Sequence, residues 1–422
     1  MVADSVAMGL CQAYVRPGMK VLDPFCGTGR LVVSAAYLGA DAVGIDVNPL
    51  AVLISRAKRP IRQTERILGL LEEVQRATPL PASHYQLDIE PGRSVGWFSP
   101  RIRSDLTLLI GLINDAKLTH QEALACAALL SATAREVSYA RQDQWKLHRL
   151  AADQRARHVP STLGVFARRA HEFLRECKQR LPFPGRADYL LGNSKSAEGL
   201  LVTRAHPGEF DLVITSPPYG DSRTTVQYGA MSSLSLGVVR YIDKVRTSFL
   251  SGGEIDREAL GGALRKEVRT DLGTFWRGSV HRPEASRVSS FLDDFQSSLE
   301  QIGRLTHRKG RAIFIVGRRL VGGRRLQLDQ FVKDVLHGSG FELTCVVERT
   351  LRGKLTPMSV NRCARSTRRT KSTDQIATMK SEFVLVLDRQ PCVASGCKQS
   401  PRIRDQSKAL RRLIDDKGGL QK

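Results

Sequence analysis

Met19-Lys20-Val21-Leu22-Asp23-Pro24-Phe25-Cys26-Gly27-Thr28-Gly29 runs from a short apolar segment into a glycine-bearing turn. A helical stretch from about Arg30 to Leu38 follows, and Gly39 stops it, as a glycine just past a helix end does. Asp41-Ala42-Val43-Gly44-Ile45 then reads as a second strand ending at Asp46, and Pro49 opens another helix. Strand, helix, strand and helix in so few residues predict an α/β fold, with a parallel sheet covered by helices.

Further along, the texture changes. From about residue 56 to 185, Leu106–Ile113, Gln121–Ala134 and Leu163–Leu181 carry helix-like apolar spacing on a basic background. Sheet texture returns at Tyr189–Leu191 and at Phe210–Ile214, which leads into Thr215-Ser216-Pro217-Pro218-Tyr219-Gly220. Ala312–Val316, Leu343–Val347 and Phe383–Leu387 are later strand candidates, with a helix over Leu328–Leu336 that fits a crossover. The chain therefore divides into an α/β domain over 1–55 and 187–390, a mostly helical insertion over 56–186, and a basic tail over 391–422 expected to be disordered.

With 422 residues, 41% of them hydrophobic, the protein can bury a sizeable core and carry an insertion. Lys and Arg number 65 against 42 Asp and Glu, a net charge of +23, which attracts polyanions, nucleic acid foremost. No run of about 18 apolar residues and no signal peptide is present, so a cytoplasmic protein away from membranes is expected. The eight cysteines, Cys11, Cys26, Cys126, Cys177, Cys345, Cys363, Cys392 and Cys397, are scattered without a CxxC pair; they read as reduced thiols, and no metal site is expected.

Two turns carry chemistry. At Gly27-Thr28-Gly29 the missing Cβ atoms let the backbone approach a ligand closely. Val32 stands where a dinucleotide fingerprint has its third glycine, so the turn alone fits a tight loop or several nucleotide sites. Asp46, ending the next strand, suits ribose hydroxyls. Asp23, just before the turn, suits the amino and sulfonium charges of S-adenosylmethionine better than a pyrophosphate. In the second turn, Pro217 and Pro218 rigidify the backbone. There the Ser216 hydroxyl and the Pro217 carbonyl can accept the two hydrogens of an exocyclic base amine, a poor nucleophile until its lone pair is localised. Tyr219 offers a face for an extruded base. A plain Pro-Pro turn capping a strand is the competing reading.

Together, Asp-Pro-Phe-Cys-Gly-Thr-Gly at 23–29 and Thr-Ser-Pro-Pro-Tyr-Gly at 215–220 resemble the first and fourth motifs of the DNA amino-methyltransferase family. Gly44-Ile45-Asp46-Val47-Asn48-Pro49 resembles the second, and Met379–Phe383 the closing strand. The resemblance implies a seven-stranded Rossmann-like fold that uses S-adenosylmethionine, needs no metal and flips its target base from double-stranded DNA. Asp23, Phe25, Gly27, Thr28, Gly29 and Asp46 would hold the cofactor, and Ser216, Pro217, Pro218 and Tyr219 the target amine. Serine at the head of the fourth motif is typical of cytosine-N4 enzymes and aspartate of adenine-N6 enzymes. The expected activity is therefore site-specific cytosine-N4 methylation in a restriction–modification setting, with a cognate restriction endonuclease as a candidate partner. Adenine-N6 methylation and a non-catalytic nucleic-acid-binding relative are the alternatives.

Two departures stand out. Gly192-Asn193-Ser194 lies where the family often has an acidic residue near the adenine, and Asn193 is expected to pair with the adenine edge instead. About twenty residues precede the strand into Asp23, where the family usually has a further segment; a late recorded start or a weakened cofactor pocket is expected. For DNA contacts, Arg223 follows the second turn, and Arg349–Lys371 has eight basic residues and no acidic one, among them Arg362, Arg365, Arg368 and Arg369. Solvated loops compete for both. The insertion, with Tyr139 and Trp145 among its cations, is the candidate target-recognition region.

Overall fold

Val21 and Leu22 point to opposite faces of one strand, and each enters a different core. The computed structural model describes residues 4–78, 87, 89, 96–142, 147–179, 183–197, 208–220, 228–245, 247, 250–264, 282–321, 324–350, 359–361, 375–377 and 381–390. Helix α1 (Asp4–Tyr14) comes first, a helix the sequence reading does not single out, with Val6, Ala7, Leu10 and Cys11 buried. Then follow β1 (Lys20–Asp23), α2 (Arg30–Tyr37), β2 (Asp41–Asp46) and α3 (Pro49–Ala57). The Asn48 side chain caps α3 by accepting from Leu50 N at 3.1 Å.

Helices α4 (Glu65–Arg76), α5 (Pro100–Asp115), α6 (His120–Val137), α7 (Ala152–Ala156) and α8 (Thr162–Gln179) make up the helical region. After them come β3 (Arg186–Leu191), β4 (Phe210–Thr215), α9 (Tyr228–Val239), α10 (Gly252–Glu258), α11 (Arg282–Leu305) and β5 (Thr306–Gly317). A hairpin, β6 (Arg319–Val321) with β7 (Arg324–Leu326), precedes α12 (Leu328–His337) and β8 (Phe341–Thr350). Short β9 (Ser359–Asn361) and β10 (Gln375–Ala377) pair with each other, and β11 (Ser381–Arg389) is the last described strand. Residues 391–422 lie outside the described residues.

The main sheet has seven strands in the order β3-β2-β1-β4-β5-β11-β8. The first five run parallel, and β11 runs antiparallel to both of its neighbours. This is the Rossmann-like α/β architecture expected from the strand–helix alternation. The crossover through α12 skips one position, which the returning β11 fills. From β1 the chain winds outward to β2 and β3, then resumes on the other side of β1 with β4 and β5. The two loops leaving β1 and β4 therefore diverge at a topological switch point, where open α/β sheets form their ligand crevice.

Alternation builds the two faces of the sheet. Leu212, Ile214, Ile313, Ile315, Val384 and Val386 face α1 and α2, whereas Val213, Ala312, Phe314, Leu385 and Leu387 face α11 and α12. A third core belongs to the helical region, and it also takes in Leu53 and Ala57 of α3 and Leu234, Leu236, Val238 and Val239 of α9. At the β3 edge, Arg56 and Arg59 donate to the carbonyls of Tyr189 (2.9 Å) and Ala187 (2.6 Å), covering backbone acceptors that an edge strand leaves open.

Helix α2 lies unusually close to β2, and Gly44 makes that possible. A Cβ at Gly44 would stand 2.8 Å from Cys26 Cβ and 3.0 Å from Val32 Cγ2. A dinucleotide fingerprint places this close-approach glycine on the helix; here the helix keeps Val32 and the strand gives up its side chain. Gly44→Ala is expected to lower unfolding stability by about 1–3 kcal/mol through overpacking. Urea titration checks it, and an unchanged midpoint would show that the glycine turn moves freely out of the way.

Candidate active site

The two turns singled out by sequence meet at the switch point. Asp23 ends β1 and Thr215 ends β4, next to it in the sheet; Thr215 Oγ1 donates to Asp23 Oδ1 at 2.6 Å, and Phe25 N donates to the same oxygen at 3.2 Å. Both side chains are buried, Asp23 with 2% of its surface exposed. Burial pushes the Asp23 carboxyl up from its ordinary 3.8 to about 7; the bonds from Thr215 and Phe25 oppose the rise, and the negative charge of Asp46 adds to it. No cation among the described residues forms an ion pair with Asp23.

Asp46 shapes the first turn from the neighbouring strand. Its Oδ2 accepts from Gly27 N and its Oδ1 from Asn48 N, each at 2.8 Å. Burial raises this carboxyl as well, and the two backbone N–H bonds oppose the rise. The carbonyls of Gly27 and Thr28 are tied back to α3, by Ser55 Oγ at 3.0 Å and Lys58 Nζ at 2.6 Å. The two glycines are required for different reasons. Gly29 has φ +74°, and a Cβ there would meet Tyr189 Cε1 at 2.6 Å and Ser55 Oγ at 2.9 Å. Gly27 has φ +52°, but its Cβ direction is open within 4 Å, so that side of the turn faces free space. Phe25 anchors the turn to α11 by an edge contact with Phe295, ring centroids 6.2 Å apart.

Asn193 follows β3. Its Oδ1 accepts from Lys195 N at 3.1 Å, capping a single helical turn, and its Nδ2 donates to the Glu258 carbonyl at 2.9 Å, fastening the end of α10. The carboxamide expected at an adenine edge is thus held at both ends by this chain.

In the second turn Pro217 is buried, Pro218 exposed, and Ser216 and Tyr219 half-buried. Ser216 Oγ lies 3.2 Å from Tyr219 Oη, which donates to Glu382 Oε1 at 3.2 Å. Arg349 Nη1 donates to Glu382 Oε2 at 2.9 Å. Burial first, and the charge of Glu382 second, push the Tyr219 phenol well above its ordinary range. The Tyr219 ring packs against the core beneath α11. Glu382 and Arg349 are the residues that sequence reasoning did not place here; they face each other across β11 and β8, a pairing no local signal announces. Arg223, Arg362, Arg365, Arg368 and Arg369 lie outside the described residues. Among the described residues no cluster of His, Cys, Asp or Glu could hold a metal ion, and no helix is long and apolar enough to cross a membrane.

This geometry can be set beside known proteins. The family model for ribosomal protein L11 methyltransferase (PrmA) matches residues 5–81, the half of the site around the glycine turn. The chain is 26% identical over 400 residues to Type II methyltransferase M.MvaI of Kocuria varians, covering 88% of this chain and 85% of that protein. By sequence the chain is similar to methyltransferases. It is also 24% identical over 254 residues to Type II methyltransferase M.BsoBI of Geobacillus stearothermophilus, covering 52% of this chain and about half (48%) of that enzyme. Among solved structures, a TehB-like SAM-dependent methyltransferase from Corynebacterium glutamicum overlaps 92% of this chain and 89% of its own, at 11% identity and a TM-score of 0.30. The fold assignment rests on the strand order rather than on that overlap.

A buried carboxylate without a counter-ion weakens the fold wherever it is charged. The folded-state value of Asp23 lies above its ordinary one, so its protonated form is fully accommodated below pH 3.8 and stability declines as pH rises to about 7. A rise from 3.8 to about 7 corresponds to at most about 4 kcal/mol. Asp23→Asn keeps an acceptor for Thr215 and Phe25 and removes the charge. It is expected to raise the melting temperature at pH 8, with a gain that shrinks on acidification and vanishes near pH 4. A gain independent of pH would count against a charged Asp23.

Proposed function

We propose that the protein is an S-adenosylmethionine-dependent DNA methyltransferase acting on an exocyclic base amine, the N4 amine of cytosine before the N6 amine of adenine. The Asp23–Thr215 hydrogen bond carries this reading, because it sets the glycine turn and the Ser216-Pro217-Pro218-Tyr219 turn side by side at the switch point. The residues fit the cofactor. Asp23 is a buried carboxylate in want of a positive charge, which a sulfonium or ammonium group brings, and the open side of Gly27 leaves room for a ligand against the backbone.

When bound, the cofactor supplies an electrophilic methyl group. Asp23, Phe25, Gly27, Thr28, Gly29 and Asp46 are the residues proposed to hold it, joined by Asn193 through the amide hydrogen and oxygen lone pair that Glu258 and Lys195 leave over. Ser216 Oγ and the Pro217 carbonyl accept the two amine hydrogens and localise the lone pair on nitrogen. Tyr219 and Pro218 border the place of an extruded base. Similarity to two Type II methyltransferases, one of them matched along most of its length, and the net charge of +23 both favour DNA as the substrate. Serine at position 216 favours cytosine through the motif resemblance. A restriction–modification role, a cognate endonuclease and a cytoplasmic location go with this reading, and Arg223, Arg362, Arg365, Arg368 and Arg369 are the proposed phosphate contacts.

Incubation with S-adenosylmethionine and unmethylated DNA, followed by mass spectrometry of the digested nucleosides, is expected to yield N4-methylcytosine. Ser216→Ala is expected to lower the yield by about 10²-fold, the effect of losing one oriented partner of a reacting group. N6-methyladenine would change the base and keep the chemistry. No methylated nucleoside, together with no cofactor binding in calorimetry, would sink the enzyme and leave the non-catalytic relative.

A further inference from the structure

We propose that Glu382 is a positioning residue that acts through Tyr219 to turn the Ser216 hydroxyl into a pure acceptor. The inference rests on the reading of Ser216 as the group that receives an amine hydrogen, and it adds what sets the direction of that hydroxyl.

A phenol has one proton, and a carboxylate has none to give. Glu382 Oε1 accepts from Tyr219 Oη, so the Tyr219 proton is committed to Glu382. The 3.2 Å contact between Ser216 Oγ and Tyr219 Oη is then satisfied only if Ser216 donates. With its proton directed at Tyr219, Ser216 has only lone pairs to offer on its other side. An amine bringing two hydrogens meets acceptors there; a reversed chain would meet it with a competing proton.

Arg349 makes the direction durable. Its Nη1 holds Glu382 Oε2 at 2.9 Å, with only 19% of the Arg349 side chain and 12% of the Glu382 side chain exposed. The pair sits directly opposed in the β11–β8 register, so the backbone ladder keeps it in place. Burial together with the charge of Glu382 keeps the Tyr219 phenol protonated. At 3.2 Å both hydroxyl contacts are longer than the ordinary O–H···O range of about 2.5–3.0 Å, as catalytic hydrogen bonds often are before substrate binds and tightens them.

Glu382→Gln reverses the chain. Arg349 needs an acceptor, so the amide oxygen turns to Arg349 and the NH₂ group donates to Tyr219; the Tyr219 proton then turns on Ser216. Tyr219→Phe removes the link altogether. The experiment is a double-mutant cycle read by single-turnover DNA methylation. Each single variant is expected to lose on the order of 10-fold or more in rate, with cofactor affinity unchanged. The double variant is expected within about twofold of the slower single one. Losses that multiply, or a parallel loss of cofactor affinity, would mean that Glu382 merely supports the fold. Full activity in Glu382→Gln would overturn the relay and leave the proposed function standing. A measurement free of turnover separates the two readings: a solvent-protected tyrosine hydroxyl proton, visible by NMR and absent from Tyr219→Phe, is expected to move upfield in Glu382→Gln. If wild-type protein methylates no base, the proposed function fails, and this resonance still decides the direction of the chain: an unmoved signal overturns it.

Discussion

The hydrogen bond from Thr215 to Asp23 is the constraint around which the crevice is arranged. It joins the last residues of two adjacent parallel strands whose following loops run apart, and thereby fixes the distance between two turns of separate chemistry. A neutral pair would make the same link at lower expense. The carboxylate instead leaves a buried negative charge that burial, and to a lesser degree the charge of Asp46, works to neutralise, a strain suited to a site that awaits a cation. One strand away burial also raises the carboxyl of Asp46, and there the two opposing bonds both come from backbone N–H groups.

The antiparallel strand β11 gives the sheet a second use of its edge. A parallel strand next to β5 would enter at the opposite end, and its first residues would lie far from the loop that leaves β4. Running back, β11 begins at the crevice, with Glu382 opposite both Gly317 of β5 and Arg349 of β8. That reversal lets a carboxylate 163 positions along the chain reach Tyr219. Topology, not proximity in sequence, supplies the support of the second turn.

Much of this was legible from residues, and the reasons differ by element. The strands at Val21, Ile45, Val213, Phe314 and Leu385 are short apolar runs bounded by turn signals, so they announce themselves. Gly27, Gly29, Asp46 and the Pro-Pro turn advertise special backbone. Helix α1 was not legible, since its small residues Ala7, Gly9 and Cys11 pack closely without a strong apolar stripe. The role of Gly44 was hidden because the glycine that lets α2 approach stands on the strand rather than the helix. Glu382 with Arg349 was hidden for a deeper reason: the pairing depends on β11 lying between β5 and β8, a strand order that the local pattern of neither β8 nor β11 shows. Tyr219 was legible as an aromatic of the turn, but not as a hydroxyl tied to that distant pair.

The helical region is coupled to the site through the helices that follow its functional loops. Helix α3 begins just after Asp46, and α9 is the next described helix after the Ser216–Tyr219 turn. Leu53 and Ala57 of the first and Leu234 and Val238 of the second enter the core shared with α4, α5, α6 and α8. Asn48 Nδ2 also donates to Ser232 Oγ at 2.8 Å, joining the cap of α3 to α9 beside Asp46. The helical region is thus packed against the element that follows each turn, α3 after the glycine turn and α9 after the serine turn. An insertion packed only against itself would lack that connection; by sharing its core with these two helices, the region becomes part of the frame that holds the crevice.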